Sequence, residues 1–405
     1  MTETPATATE AEPLALPVLR APRDGVPVLT DSPPALAEVA ARFAAGTGPV
    51  ALDAERASGH RYHQRAYLIQ LRREGAGTAL VDTGSLTQVA PLVAALAGTE
   101  WILHASTQDL PCLAELGLRP TTLFDTELAA RLLGLPRVGL AGLAEDLLGV
   151  GLAKGHGAAD WSKRPLPAEW LTYAALDVEL LSQMREILLD RLAAADRLGW
   201  AQEEFDYLTT WQPRVRTDPW RRTAGINKVS DPRALATVRE LWLERDEIAR
   251  AADQPVGRIM KDDVIVAIVK AAPATQQDLA DLPNMRPQRR RVHRWWRAVQ
   301  RAGALPDDQL PSRHVEDVPP PQRAWERRDP AAAARLSAVR AAVTARADEL
   351  TIPTEVLVSP DPVRAVVWQA GGPLPQAEVE AHLTALGVRR WQIEQVAPLI
   401  SAALQ

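Results

Sequence analysis

The chain holds one cysteine, Cys112, in 405 residues. A single thiol permits no internal disulfide, which excludes the disulfide-stapled secreted scaffolds and suits a reducing cytoplasm. Long apolar runs are missing too. Stretches such as Val89–Ala97 fall far short of the ~20 residues that a membrane-spanning helix needs. The first residues, MTETPATATEAEP, are polar and Pro/Ala-rich, without the apolar core of a secretory signal. No Cys or His pair has a zinc-site spacing, and neither a serine-centred elbow nor a phosphate-binding glycine loop is present. Lysine is scarce, 5 residues against 41 arginines, which reflects coding bias. There is no excess of positive charge: the net value is −5, which taken whole argues against a nucleic-acid partner.

What is present is ordinary for a globular protein, 46% hydrophobic and 24% charged residues, and long enough for two to three domains. The charge is unevenly spread. Residues 1–210 carry a balance of −10, residues 211–313 of +7 and residues 314–405 of −2. Residues 1–22 read as a flexible tail. Short β-rich runs then alternate with helical ones. Val26–Thr30, Val50–Glu55, Ala66–Arg72, Ala79–Asp82 and Trp101–Ala105 read as strands, and Pro34–Ala45, Leu86–Ala97 and Gln108–Leu116 as helices. The three strands between residues 50 and 82 leave no room for helical crossovers, so they should be antiparallel neighbours. Later strands can be parallel, which gives a mixed sheet flanked by helices. Beyond Phe124 the spacing turns helical: Thr126–Leu133, Leu140–Leu148, Ala168–Leu192, and everything from Leu235 onward. A stretch with six prolines, residues 305–330, reads as a linker in extended polyproline form. Around it runs a repeat at an offset of 98, with Pro255, Ile259, Asp263, Ala267, Ile268 and Val269 opposite Pro353, Leu357, Asp361, Ala365, Val366 and Val367. A duplicated small helical domain fits it, and chance is the rival, since Ala and Val are common in this sequence.

Three pieces of sequence carry acids where acids are costly. In Val50–Glu55, Asp53 and Glu55 lie on one side of a strand end. Two carboxylates that close repel unless a cation neutralises them, and an all-oxygen cluster suits magnesium or manganese. Two solvated acids at a strand exit fit equally well. Asp109 follows a strand at the first turn of a helix, where the helix dipole alone would explain a negative charge. Tyr173 and Asp177, four apart, share a helix face beside small alanines; the edge of a helical core is the alternative.

Asp53, Glu55, Asp109, Tyr173 and Asp177, in this order on a strand, an early helix turn and a late helix, resemble the tyrosine-bearing branch of the DEDD exonuclease superfamily, and within it the ribonuclease D family. Leu68-Ile69-Gln70-Leu71, Phe124-Asp125-Thr126, Asp160-Trp161 and Arg164-Pro165-Leu166 match as well, so the resemblance covers about residues 23–210. The loop Ala57–Tyr62 departs from the family pattern, which puts substrate preference in question. The resemblance implies an RNase H-like α/β domain over residues 23–212, a linker at 213–230, an HRDC helical bundle at 231–304, the Pro-rich linker at 305–330, and a second HRDC-like bundle at 331–405. It implies 3′–5′ hydrolysis of RNA with release of nucleoside 5′-monophosphates, in tRNA or structured-RNA processing. Two Mg²⁺ or Mn²⁺ ions would be held by Asp53, Glu55, Asp109 and Asp177, with Tyr173 orienting or deprotonating the attacking water. A DNA exonuclease on the same fold, or a non-catalytic nucleic-acid adaptor, are the competing readings. A cytoplasmic monomer with no membrane contact is expected.

In the basic middle segment, Arg289, Arg290, Arg291, Arg294 and Lys261 are candidate contacts for RNA phosphates, with Trp295 and Trp296 at least partly in the bundle core. Cys112, among apolar neighbours, reads as a buried inert thiol. His60, His63, His104 and His156 read as loop or groove residues.

Overall fold

The computed structural model describes residues 16–86, 88–153, 155–312, 319–320 and 322–405. Its β elements are β1 (Val18–Leu19), β2 (Leu29–Thr30), β3 (Thr47–Arg56), β4 (Ala66–Glu74), β5 (Gly77–Val81), β6 (Glu100–Leu103), β7 (Thr122–Asp125) and β8 (Gly151–Leu152). Six of them form one sheet in the order β2-β5-β4-β3-β6-β7. The β3–β4 and β4–β5 pairs are antiparallel, as their short links require, while β2–β5, β3–β6 and β6–β7 are parallel. The sheet is mixed and flanked by helices, as expected from the sequence. β3 lies inside it, and Val50, Ala51 and Leu52 are fully buried, which is why this strand reads as a continuous apolar run.

Three differences from the sequence reading have local physical causes. β7 lies outside the runs read as strands; it is four residues long, below the length at which alternation is diagnostic. Of the tail expected at 1–22, residues 1–15 lie outside the described residues, and Val18–Leu19 pair in parallel with Gly151–Leu152. The helix expected over Ala168–Leu192 is two helices, Ala168–Asp177 and Leu181–Ala194. No Pro or Gly marks the break. Val178, Leu180 and Leu181 are buried there, and the Glu179 carboxylate turns inward to Arg72 at 3.3 Å. Tertiary burial overrides helical continuity and leaves Asp177 at a helix end.

Beyond residue 231 the described chain is helical, and the repeat is real in structure. Helices Pro232–Ala252, Val256–Ile259, Asp262–Ala271 and Val292–Ala304 recur at the same offset as Pro330–Glu349, Thr354–Leu357, Pro360–Ala370 and Arg390–Ala403. The ends of the expected linkers are folded: Trp220 is buried in the first helical block and Trp325 in the second. Part of the Pro-rich stretch, residues 313–318 and Pro321, lies outside the described residues.

Spatial order does not follow chain order. Apolar side chains of the sheet domain, including Phe43, Leu52, Trp101 and Phe205, share one continuous core with Trp325, Val339, Trp391 and Ile400 of the last block. The middle block has its own core around Trp220, Leu241, Ile259 and Trp295. The joint between first and last blocks is polar as well as apolar. Glu204 is buried and accepts from Trp391 Nε1 at 2.9 Å and Arg389 Nε at 2.8 Å, and the Trp200 and Trp391 rings stack at 4.7 Å.

Candidate active site

The C-terminal end of β3 opens into a cavity of about 390 Å³. Asp53, Glu55, Asp109, Tyr173 and Asp177 all line it. Five residues from three distant segments therefore meet in one place. Strand alternation puts Asp53 and Glu55 on one face, and helix Ala168–Asp177 packs over that face to deliver Tyr173 and Asp177. Ligand atoms of Asp53, Glu55 and Asp177 lie within 4.8 Å of one another. Asp109 stands outside that tight trio but lines the same cavity.

Asp109 is the N-cap residue of helix Leu110–Glu115, yet its side chain makes no capping hydrogen bond. Its carboxyl group faces the cavity, so the helix-end explanation does not account for it. The turn that carries it is pinned by Asp125. That buried carboxylate accepts from Ala105 N at 3.2 Å, Ser106 N at 2.8 Å, Glu127 N at 2.9 Å and Leu128 N at 3.1 Å. It caps one helix and holds the left-handed Ala105 turn ahead of Asp109.

The electrostatics are those of buried anions that repel one another, offset in part by Arg56. Burial, with repulsion from Asp53, Asp177 and Asp109, pushes Glu55 up to about 10. Burial raises Asp53, and it lifts Asp109 and Asp177 well above the carboxylate range. Tyr173 is raised as well, by burial and then by Asp177, Glu55 and Asp53, so the phenol keeps its proton beside the acids. A purely structural cluster with this charge would be destabilising; hard divalent cations remove the repulsion. The donor set is all carboxylate oxygen, so the residues present fit magnesium or manganese. Among the described residues this is the one cluster of three or more His, Cys, Asp or Glu side chains with ligand spacing. His104 donates to or accepts from Thr126 Oγ1 at 2.9 Å, and His60 and His156 lie in loops, so no histidine joins it. Cys112 is buried, and burial beside Asp109 pushes its thiol up to about 12, which makes it inert.

One wall of the cavity is formed by the loop of residues 155–166. Arg164 fastens it: Nε donates to Asp82 at 2.8 Å, a second bond joins the same carboxylate, and Nη2 reaches Tyr67 O at 2.9 Å. Trp161 is fully buried beneath the loop. A Cβ on Gly155 would fall 1.6 Å from Tyr173 Cδ2, so only glycine lets the loop close over the tyrosine ring.

Residues 29–193 match a family model described as a 3′-5′ exonuclease, residues 234–298 an HRDC domain, and residues 318–404 a 3′ to 5′ exonuclease C-terminal domain. A ribonuclease D of Zymomonas mobilis is 30% identical over 299 residues, covering 71% of this chain and 75% of the relative. The chain belongs to the ribonuclease D family. A ribonuclease D of Shewanella is 34% identical over 249 residues, 60% of this chain and 63% of that protein, so the chain spans just under two thirds of some relatives' length. A crystal structure from Bifidobacterium adolescentis superposes with a TM-score of 0.86 at 36% identity, covering 96% of this chain and 99% of that one. Escherichia coli RNase D, described as an exoribonuclease involved in structured RNA processing, shares the fold at a TM-score of 0.72 and 24% identity, covering 93% and 98%.

In this ribonuclease D family member the loop after β3 also ties the site to the HRDC block. Asp253 accepts from the backbone N–H groups of Tyr62 at 3.1 Å and His63 at 3.0 Å, and the Tyr62 hydroxyl donates to Asp246 at 2.9 Å. Asp253 sits at the C-cap of helix Pro232–Ala252 with φ of 47°. A negative charge there opposes the helix dipole, and the two loop N–H groups compensate it. Asp253→Ala should release the latch. Amide exchange at Tyr62 and His63 should accelerate by about ten- to a hundredfold, the loss of a charge-assisted bond, with thermal stability of the sheet domain unchanged.

The basic candidates divide. Arg289 and Arg290 are exposed, Arg291 is half-buried and Lys261 is exposed. Arg294 differs: it pairs with Glu244 and, at 3.6 Å, with Glu247. It ties helix Val292–Ala304 to helix Pro232–Ala252 and is not free for phosphate. Trp295 is fully buried and Trp296 packs partly against the same core.

Proposed function

We propose that this chain is a divalent-metal-dependent 3′–5′ exoribonuclease that trims RNA 3′ ends, tRNA precursors among them, and releases nucleoside 5′-monophosphates. The observation that carries the reading is the meeting of Asp53, Glu55, Asp109, Asp177 and Tyr173 around one cavity, with the carboxyl groups pushed toward protonation by burial and mutual repulsion. A relic fold used as an adaptor has no need to keep so costly a cluster.

Asp53, Glu55 and Asp177, whose ligand atoms lie within 4.8 Å of one another, would hold one ion, and Asp109 with Asp53 a second. Such a pair stabilises charge on the attacking and leaving oxygens of an in-line displacement. The chain's own contributions are positional. Asp53 and Glu55 are fixed by the central strand, and Asp125 holds the turn bearing Asp109. Tyr173 retains its proton and would orient the attacking water. The lone buried thiol fits action in the cytoplasm, and a single copy supplies every residue of the site.

Arg289, Arg290, Arg291 and Lys261 form the face that would hold the RNA backbone. Arg289→Ala with Arg290→Ala should weaken RNA binding and flatten its salt dependence by about 0.7 in log–log slope per arginine; an unchanged slope rejects the face. The catalytic reading is tested with 5′-labelled RNA and DNA oligonucleotides in Mg²⁺ or Mn²⁺. Stepwise shortening of RNA, absent for Asp53→Ala, is expected. Shortening of DNA alone would make the chain a DNA exonuclease, and shortening of neither would leave the adaptor.

A further inference from the structure

The cavity holds one cation that the four-acid scheme does not use. Arg56 follows Glu55 directly, where pairing between β3 and β4 becomes irregular: Glu55 opposes Leu68 and Arg56 opposes Ala66. The side chain is half-buried and lines the same cavity as the acids. It makes no hydrogen bond and no ion pair with any described residue. A guanidinium half out of water has lost hydration without gaining a partner, although five N–H donors are available to it.

Arg56 stands close enough to Asp53, Glu55 and Asp109 for its positive charge to oppose the rise of all three. With the acids engaged by cations, Arg56 is left with no intramolecular anion, and the anion that enters the cavity is a phosphodiester.

We propose that Arg56 is the phosphate-binding cation of the site, its planar fork pairing with the non-bridging oxygens of the phosphodiester that is cut. The inference rests on the exoribonuclease reading. The pairing strengthens as charge builds on those oxygens during displacement, so it accelerates the step as well as binding substrate. A simple counter-charge for the acids is the competing role, and the two differ in their effect on turnover. A positive charge beside a cation site opposes metal binding. Its removal leaves Mn²⁺ affinity equal or tighter under either role, but only a phosphate contact slows the reaction once metal is saturating.

The test compares wild type, Arg56→Ala, Arg56→Lys and Asp53→Ala. Mn²⁺ binding is read by calorimetry, and RNA trimming is read at saturating Mn²⁺. Expected is a fall in kcat of about a hundredfold for Arg56→Ala, with Mn²⁺ affinity unchanged or higher, and partial recovery in Arg56→Lys, which restores charge but not the fork. Arg56→Ala trimming within about threefold of wild type overturns the inference alone. Loss of Mn²⁺ binding in Arg56→Ala makes its role structural and overturns it too. A wild-type chain that binds Mn²⁺ and trims no RNA removes the exoribonuclease reading itself.

Discussion

Asp53→Asn should abolish trimming, by more than about 10³-fold, since even one lost charge-stabilising contact in a displacement site costs about 10²–10³-fold. It should also change how the metal-free chain responds to pH, in a way that only a buried acid cluster explains. Burial and mutual repulsion raise Asp53, Glu55, Asp109 and Asp177 in the folded chain. Such groups bind more protons folded than unfolded, so the stability they permit is fully present below their ordinary values and is lost as pH rises through the folded ones. For Glu55 the window runs from its ordinary 4.5 to about 10. In EDTA the melting temperature of the wild type should therefore fall as pH rises across that window. Asp53→Asn removes one charge of the row and should flatten the fall. Saturating Mn²⁺ should remove most of it in the wild type, because the cation takes the place of the protons. A metal-free melting temperature that is level over the window would contradict the electrostatic account.

Gly155→Ala should cost about a hundredfold in turnover without touching an acid. The added methyl group would lie 1.6 Å from Tyr173 Cδ2 and 1.9 Å from Cε2, so the ring or the loop has to move. The loop is fastened by Arg164 to Asp82 and Tyr67, and the ring is the easier part to displace. Moving it takes the phenol away from Asp177 and misplaces the group that orients the water. A misplacement of about 1 Å at a reacting centre is worth about 10²-fold. Mn²⁺ affinity should be retained, because the carboxylates stay where they are. Gly199→Ala is the matched control: nothing lies within 4 Å of a Cβ there, so activity should be unchanged. Equal activity of the two variants would show that Tyr173 placement is immaterial.

The sequence displays the acids and hides what positions them. Asp53 and Glu55 are legible because period-two alternation is local, and Tyr173 with Asp177 because i, i+4 spacing is local. Asp109 is legible only as a helix-start charge. That its carboxyl group faces the cavity depends on the turn before it, which Asp125, sixteen residues away, holds through the N–H groups of Ala105 and Ser106. The support by Arg164, the close approach at Gly155 and the unpaired state of Arg56 are all long-range, and no periodicity reports them. The helix break at Val178–Leu180 is similar, since Glu179 turns toward Arg72 on β4. The departure at Ala57–Tyr62 noted in the sequence acquires a structural meaning: this loop carries the latch to Asp246 and Asp253. The three-block organisation is visible in the repeat, but the sharing of a core between first and last blocks is not. Trp391 and Glu204 meet across 187 residues, and local patterns hold no trace of that pairing.

The most direct measurement is the identity of the first product released from RNA labelled at its 3′-terminal nucleotide. With Mn²⁺ present, the account predicts a nucleoside 5′-monophosphate from the wild type and none from Asp53→Asn or Asp177→Asn. Release of a nucleoside or a 3′-phosphorylated product, or equal release by the variants, would contradict it.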